Sequence, residues 1–209
     1  ESTYTWIFPA GGAVSFRHMQ READKYTWQG SAISMIGFDE LTHFSRGQFF
    51  YMLSRNRLNS PCGIRPYIRA TCNPDPDSWV AEFISWWINP DTGLPIKERS
   101  GVLRYFIREG DKLIWGDTPD ELPKIKGVEP KSVSFIGASI YDNKIGMQND
   151  PTYIGNLQAL SLLERERLLN GNWKIRAISG ILFRKEWFKV WPSDKPRSEE
   201  HTSELQSHS

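Results

Sequence analysis

Two adjacent carboxylates, Asp39 and Glu40, close an apolar run from Ala32 to Phe38 (AISMIGF). A hydroxyl and an amide, Thr71 and Asn73, stand where a second run, Tyr67 to Cys72 (YIRATC), comes to its end. Paired acids at the carboxyl end of a core strand can carry out phosphate chemistry. One can hold a hydrated magnesium ion, and its neighbour can orient and deprotonate a water that attacks a phosphate. A hydroxyl and an amide beside them can hydrogen-bond that water or the terminal phosphate and register its loss. Taken singly, each pair has a plainer reading: Asp-Glu is a common solvated turn or helix start, and Asn-Pro is ordinary turn chemistry.

The flanking sequence gives the acids a direction. Ile33, Met35, Ile36 and Phe38 form the near-continuous hydrophobic run expected of a strand covered on both faces in a parallel sheet. Ser45 and Gln48 fit a capping box, which predicts a helix from about Ser45 to Leu58. A turn containing Pro61 and Gly63 follows, and the second strand halts at Asn73-Pro74-Asp75-Pro76. Strand, helix, strand is the order of a right-handed βαβ unit. Ligands of open α/β sheets bind at the carboxyl ends of the strands, so Asp39, Glu40, Thr71 and Asn73 are expected to converge on one crevice. An acid pair so placed has the form of the second nucleotide motif of a P-loop ATPase, Walker B.

Elsewhere the patterns are shorter. Ala13 to Arg17 reads as a strand after the turn-forming Gly11-Gly12, and Met19 to Trp28 as a short helix or loop. Ser78 to Ile88 has helical spacing, with a cap at Asp77 or Ser78 and a stop at Pro90. Val102 to Ile107 and Lys112 to Trp115 predict a hairpin across Arg108-Glu109-Gly110-Asp111, and Val133 to Ala138 a further strand leading into Tyr141-Asp142-Asn143. Asp150 and Pro151 predict the start of a helix that carries Tyr153, Leu157, Leu160 and Leu168 on one stripe and stops at Gly171. Glu164 interrupts that stripe, as a satisfied buried acid or as the border of a polar cleft.

With 209 residues, 39% of them hydrophobic, the chain can bury the core of one α/β domain or slightly more. No apolar stretch approaches the roughly 20 residues that cross a bilayer, and ESTYTWIFPAGG lacks the features of a signal peptide, so no membrane association is expected. Cys62 and Cys72 lack metal-ligand spacing and are expected to be free thiols, a disulfide suiting a secreted protein better. His18 and His43 are too scattered to suggest zinc, and His201 and His208 lie in a tail. That tail, 197–209, resembles a translated sequencing adapter; without it the net charge rises from +1 to +3, too mild to argue for DNA binding.

At this point a family resemblance becomes specific. GFDELTHF, the helix ending LSRNR, RATCNPD with the following Trp79, Asp142-Asn143 and LLNGNW resemble, in order, successive landmarks of the bacteriophage terminase large subunit, over most of residues 11 to 191. The resemblance implies a motor that hydrolyses ATP to push double-stranded DNA through a portal protein into an empty procapsid, with a separate nuclease domain that cuts the concatemer. It implies a P-loop fold of the additional-strand, catalytic-glutamate type, with a mostly parallel central sheet flanked by helices; the hairpin is an addition to it. Carried over by residue, Asp39 matches the magnesium-holding acid, Glu40 the catalytic glutamate, and Thr71 with Asn73 the nucleotide-coupling motif. ATP and Mg2+ would be the cofactors. A small terminase subunit and further copies in a ring would be the partners, in the cytoplasm of an infected bacterium with transient docking on the portal. Residues 1–180 would be the later portion of the motor domain, 181–196 a linker towards the nuclease domain and 197–209 the artefact, so the chain reads as a fragment.

Several features depart from the family pattern. Gly-x-x-x-x-Gly-Lys-Ser/Thr, the Walker A phosphate cradle, occurs nowhere in the chain, so the fragment alone is expected to be inactive. Cys72 stands where a small residue is more usual, and Lys144 follows Asp142-Asn143 where Pro is. Arg17, Arg21, Arg46, Arg55 and Arg57 are candidates for an arginine that reaches a neighbour's nucleotide. Two other readings stay open on sequence: another P-loop motor, such as a helicase or partition ATPase, and a non-enzymatic assembly protein that keeps the sheet only for packing.

Overall fold

The computed structural model describes residues 4–58, 63–150 and 152–176. They fall within the first of two units, Glu1–Arg176. The linker and tail assignments, Pro61, Cys62 and Pro151 lie outside the described residues. The strands are β1 (Thr5–Ile7), β2 (Ala13–Ser15), β3 (Met35–Phe38), β4 (Tyr67–Ala70), β5 (Arg104–Glu109), β6 (Lys112–Gly116) and β7 (Lys131–Val133). The α-helices are α1 (Arg46–Arg55), α2 (Trp79–Phe83), α3 (Lys144–Asn149), α4 (Tyr153–Gln158) and α5 (Leu162–Leu168).

The expected strand–helix–strand unit is β3–α1–β4, with β3 and β4 parallel in the register Met35↔Tyr67 to Phe38↔Ala70. Helix α1 starts where the capping box places it: Ser45 Oγ accepts from the Gln48 amide at 3.0 Å, and Gln48 Oε1 accepts from the Ser45 amide at 2.9 Å. Gln48 is also the buried polar side chain of the core, and its Nε2 donates to the Arg21 carbonyl at 3.0 Å. At the other end of α1, Asn56 Nδ2 lies 2.9 Å from the Ile33 carbonyl and 3.2 Å from those of Ser34 and Tyr67. One amide thus ties together the entry ends of both parallel strands.

The mostly parallel central sheet implied by the resemblance is not what the described residues form. Their sheets are small and mostly antiparallel: the β1–β2 hairpin, the parallel β3–β4 pair, and a three-stranded sheet in the order β6-β5-β7. Nor is β3 covered on both faces. Ile36 and Phe38 are buried whereas Met35 and Gly37 are exposed, so β3 packs by alternation. The expected hairpin of β5 and β6 forms, but Arg108 and Glu109 pair within it and do not belong to the connection: Glu109↔Lys112 closes a two-residue loop, with Gly110 at φ +60° taking the left-handed position such a loop requires.

Three other elements are shorter than their sequence patterns. The strand expected from Val133 to Ala138 is displaced as well as shortened, to Lys131–Val133, and shares only Val133 with its pattern. The helix expected to Ile88 becomes α2 followed by a 3-10 turn, Ser85–Trp87. The helix expected from Asp150 to Gly171 divides into α4 and α5, because Ser161 and Glu164 form a capping box that begins a new helix. Glu164 is therefore neither a buried acid nor a cleft border but an exposed cap, its carboxylate accepting from Ser161 Oγ at 2.8 Å. Strand β1 carries no strong sequence signal and forms by pairing with β2. No helix among the described residues is long and apolar enough to cross a membrane.

The core is aromatic. Phe83, on the one-turn helix α2, meets the rings of Phe49, Phe50, Trp79, Phe106 and Trp115 at centroid separations of 5.3–6.2 Å, mostly edge-on or tilted as ring quadrupoles favour. It joins α1 to the β5–β6 hairpin, and Phe38 at the end of β3 stacks against Phe49 in the same cluster. Phe83→Ala is therefore expected to cost about 3–5 kcal/mol in chemical denaturation. Leu162→Ala, at an exposed position, should stay within about 0.5 kcal/mol.

Candidate functional site

At the exit end of the parallel pair, the Thr71 amide donates to the Phe38 carbonyl at 2.9 Å and the Leu41 amide to the Thr71 carbonyl at 2.8 Å. The two chain segments thus leave the sheet together. Between those bonds Glu40 takes a left-handed backbone, φ 54° and ψ 59°. A non-glycine residue there costs of order 1–3 kcal/mol and persists only where its surroundings hold it. The turn aims the two acids at the next strand. Thr71 Oγ1 donates to Asp39 Oδ1 at 2.7 Å, Asn73 Nδ2 to Glu40 Oε1 at 2.9 Å, and the Asn73 amide to Glu40 Oε2 at 3.2 Å.

The four residues singled out from sequence are thus brought together in two pairs. They occupy an open rim and not a walled crevice: Asp39, Thr71 and Asn73 are exposed and Glu40 is half-buried. Three bonds hold the carboxylates at fixed positions, and since an ionised carboxylate has about four acceptor sites, each keeps capacity for a water or a ligand. Asp39 offers one oxygen held by Thr71 and a second without a partner among the described residues. No group of three His, Cys, Asp or Glu that could hold a metal occurs among them. That donor set suits magnesium, which keeps most of its water and takes one or two carboxylates together with substrate phosphates, and not an ion needing an all-protein cage.

Two arginines without a sequence signal, together with Trp79 of the RATCNPD landmark, hold the rim in place. Arg167 on α5 donates from Nε to the Pro74 carbonyl at 2.8 Å, and its Nη2 lies 3.0 Å from Asp75. Arg176 pairs with Asp77 at 2.9 Å. The Trp79 indole donates to the Phe44 carbonyl at 2.7 Å, joining the segment after Asn73 to the segment after Glu40. No local pattern marks these arginines, whose partners lie more than 90 residues away.

Four of the five arginines proposed for a neighbour's nucleotide have side-chain partners in their own chain. Arg46 donates to the Asp111 carbonyl, Arg55 lies over the Tyr51 ring, Arg57 reaches the carbonyls of Ser31 and Gly30, and Arg17 bonds the Phe16 carbonyl. Arg21 contributes its carbonyl to Gln48. Asp142 and Asn143 act as caps: the Ser139 amide and hydroxyl hold the Asp142 carboxyl below the usual carboxylate range, and Asn143 Oδ1 accepts from the Gly146 amide at the start of α3.

The family model described as terminase large subunit, T4likevirus-type, N-terminal, matches residues 1–190. The chain belongs to that family. No curated protein and no solved structure matches it. Membership makes this a chain of the DNA-packaging terminase, as the order of its landmarks implies.

Cys72 lies between the two bonding residues of β4's exit. Burial, reinforced by the negative charge of Glu40, pushes its thiol up to about 11. Both causes disfavour the thiolate, which is the nucleophile in alkylation. In a Cys62→Ser background, iodoacetamide at pH 8 should label Cys72 about 10²-fold more slowly than an exposed cysteine thiol. Glu40→Gln should recover part of that rate.

Proposed function

We propose that this chain is part of the ATP-hydrolysing motor of the terminase, and that the β3–β4 rim is the end of a P-loop fold of the additional-strand, catalytic-glutamate type that faces the nucleotide phosphates. The observation that carries the reading is the bonding of Asp39 and Glu40, through Thr71 and Asn73, across the carboxyl ends of two parallel strands. In α/β sheets this is the position from which ligands are held.

On this reading Glu40 is the general base. Asn73 holds both of its oxygens in place, and the remaining acceptor capacity of the carboxylate takes the proton of a water attacking the terminal phosphate. Asp39, kept in orientation by Thr71, would hold the magnesium ion that neutralises charge on the phosphates when nucleotide is bound. Thr71 and Asn73 belong to β4 while the acids belong to the turn after β3, so loss of the terminal phosphate is felt as a change in the bonds between the two strands. That linkage passes to β4 and to the Asn73–Pro76 turn, which Arg167 braces, and gives a route by which hydrolysis moves bound double-stranded DNA. The phosphate cradle, absent from these 209 residues, would come from elsewhere in the large subunit. The portal protein, a small terminase subunit, a ring of further copies and a setting in the cytoplasm of an infected bacterium complete the proposal.

In the full-length large subunit, Glu40→Gln should leave ATP binding within a few-fold and lower turnover by about 10²–10⁴, the usual scale for a general base. Undiminished turnover would remove Glu40 from the role. The 209-residue chain without its cradle should bind ATP weakly in calorimetry, and tight binding there would show that the rim suffices.

A further inference from the structure

The turn after Asn73 is gripped twice to one pattern. Arg167 donates from Nε to the Pro74 carbonyl at 2.8 Å and pairs through Nη2 with the Asp75 carboxylate at 3.0 Å. Arg176 donates from Nη2 to the Pro76 carbonyl at 3.3 Å and pairs through Nε with the Asp77 carboxylate at 2.9 Å. Each guanidinium thus takes a prolyl carbonyl together with the carboxylate that follows it, a use of the planar donor fork that a lysine cannot reproduce. The two grips are unequal. The Arg176 and Asp77 side chains are 65% and 72% exposed, against 30% and 37% for Arg167 and Asp75, and exposure to water weakens an ion pair. Arg167 is the firmer hold.

What Arg167 holds is stiff. Pro74 and Pro76 fix their own φ, and each confines the residue before it, Asn73 and Asp75, towards extended backbone. Pro74 is buried. Asp75 is fixed further, its carboxylate accepting from the Asp77 amide at 3.2 Å and its carbonyl from Ser78 Oγ at 2.7 Å. With so few soft dihedrals in the segment, a hold on Pro74 and Asp75 is also a hold on Asn73, which meets Glu40 through its amide and its Nδ2. The arginine itself has a base away from the rim. It stands in the last turn of α5, and Leu169 and Trp173 beyond it are buried, with Trp173 edge-on to Phe135. The Trp173 amide donates to the Gly93 carbonyl at 2.8 Å, and Gly93, at φ +76°, has no room for a Cβ beside Asn172 and Lys174.

We propose that Arg167 is a positioning residue for ATP hydrolysis. Based on α5, it fixes Asn73 through the Pro74-Asp75 step, and Asn73 holds the Glu40 carboxylate at the angle a general base needs. The inference rests on the motor reading above. Because the guanidinium acts through Asn73 and not on the nucleotide, its loss lowers the rate of the chemical step and leaves ATP affinity nearly unchanged.

Two readouts on the full-length large subunit test this. In Arg167→Ala, residue-resolved exchange should be several-fold faster at the Asn73 amide, which bonds Glu40, and unchanged at the Thr71 amide, which bonds the Phe38 carbonyl. The kcat for ATP should fall about 10–10²-fold, the scale of a misplaced catalytic group, with KM within a few-fold. Arg167→Lys, which keeps the charge but not the fork, should recover part of both. Unchanged exchange at Asn73 would overturn the proposal, whatever the turnover of Glu40→Gln. Equal acceleration at Thr71 would overturn it as well, since Arg167 would then only stabilise the fold. So would a normal kcat in Arg167→Ala beside an inactive Glu40→Gln. Faster exchange at Asn73 alone, with normal turnover in both variants, would keep the hold on Asn73 but overturn the motor reading, and the role in hydrolysis with it.

Discussion

The arrangement of this chain depends on two parallel strands being tied together at both ends. At the entry Asn56 reaches the carbonyls of β3's lead-in and of Tyr67; at the exit Thr71 and Asn73 reach the acids. A lone parallel pair is a weak object, lacking the neighbours that parallel sheets normally have on both sides. Side-chain bonds at its ends, and α1 packed on its buried face, supply the restraint that wider sheets take from further strands. The position of the carboxylates follows from that restraint, since neither acid lies on a regular element.

The aromatic cluster supplies the second restraint. Helix α2 is a single turn, too short to be stable on its own, and it persists because Phe83 and Trp79 enter the rings of α1 and the hairpin. Packing, not propensity, decides where this element ends. The same holds for the segment after β7, where the apolar residues from Val133 to Ala138 sustain a ladder only as far as β5 offers partners.

Features with short-range causes were legible in the sequence. The capping box of α1, the glycine turn of the hairpin and the acids at the end of an apolar run depend on residues within a few positions of one another, and each stands where expected. Features set by distant partners were not. Whether β3 is covered on one face or two depends on what packs against it, and the mostly antiparallel pairing depends on which strands meet. The left-handed turn at Glu40 has no signature, because the bonds from Asn73 that hold it come 33 residues later. The division of α4 from α5 could have been read: Ser161 and Glu164 have capping-box spacing, and the apolar stripe obscured it.

Arg167 and Arg176 grip the turn after Asn73 from 93 and 100 residues further along. Contacts of such high sequence separation form late, because closing a long loop costs entropy before any bond offsets it. As the chain leaves the ribosome, the rim can pair its strands while the brace is still unsynthesised. The mature geometry of the turn after Asn73 is then among the last things to form, and a nascent chain stalled before α5 would carry the bonded acids beside a turn that lacks its brace.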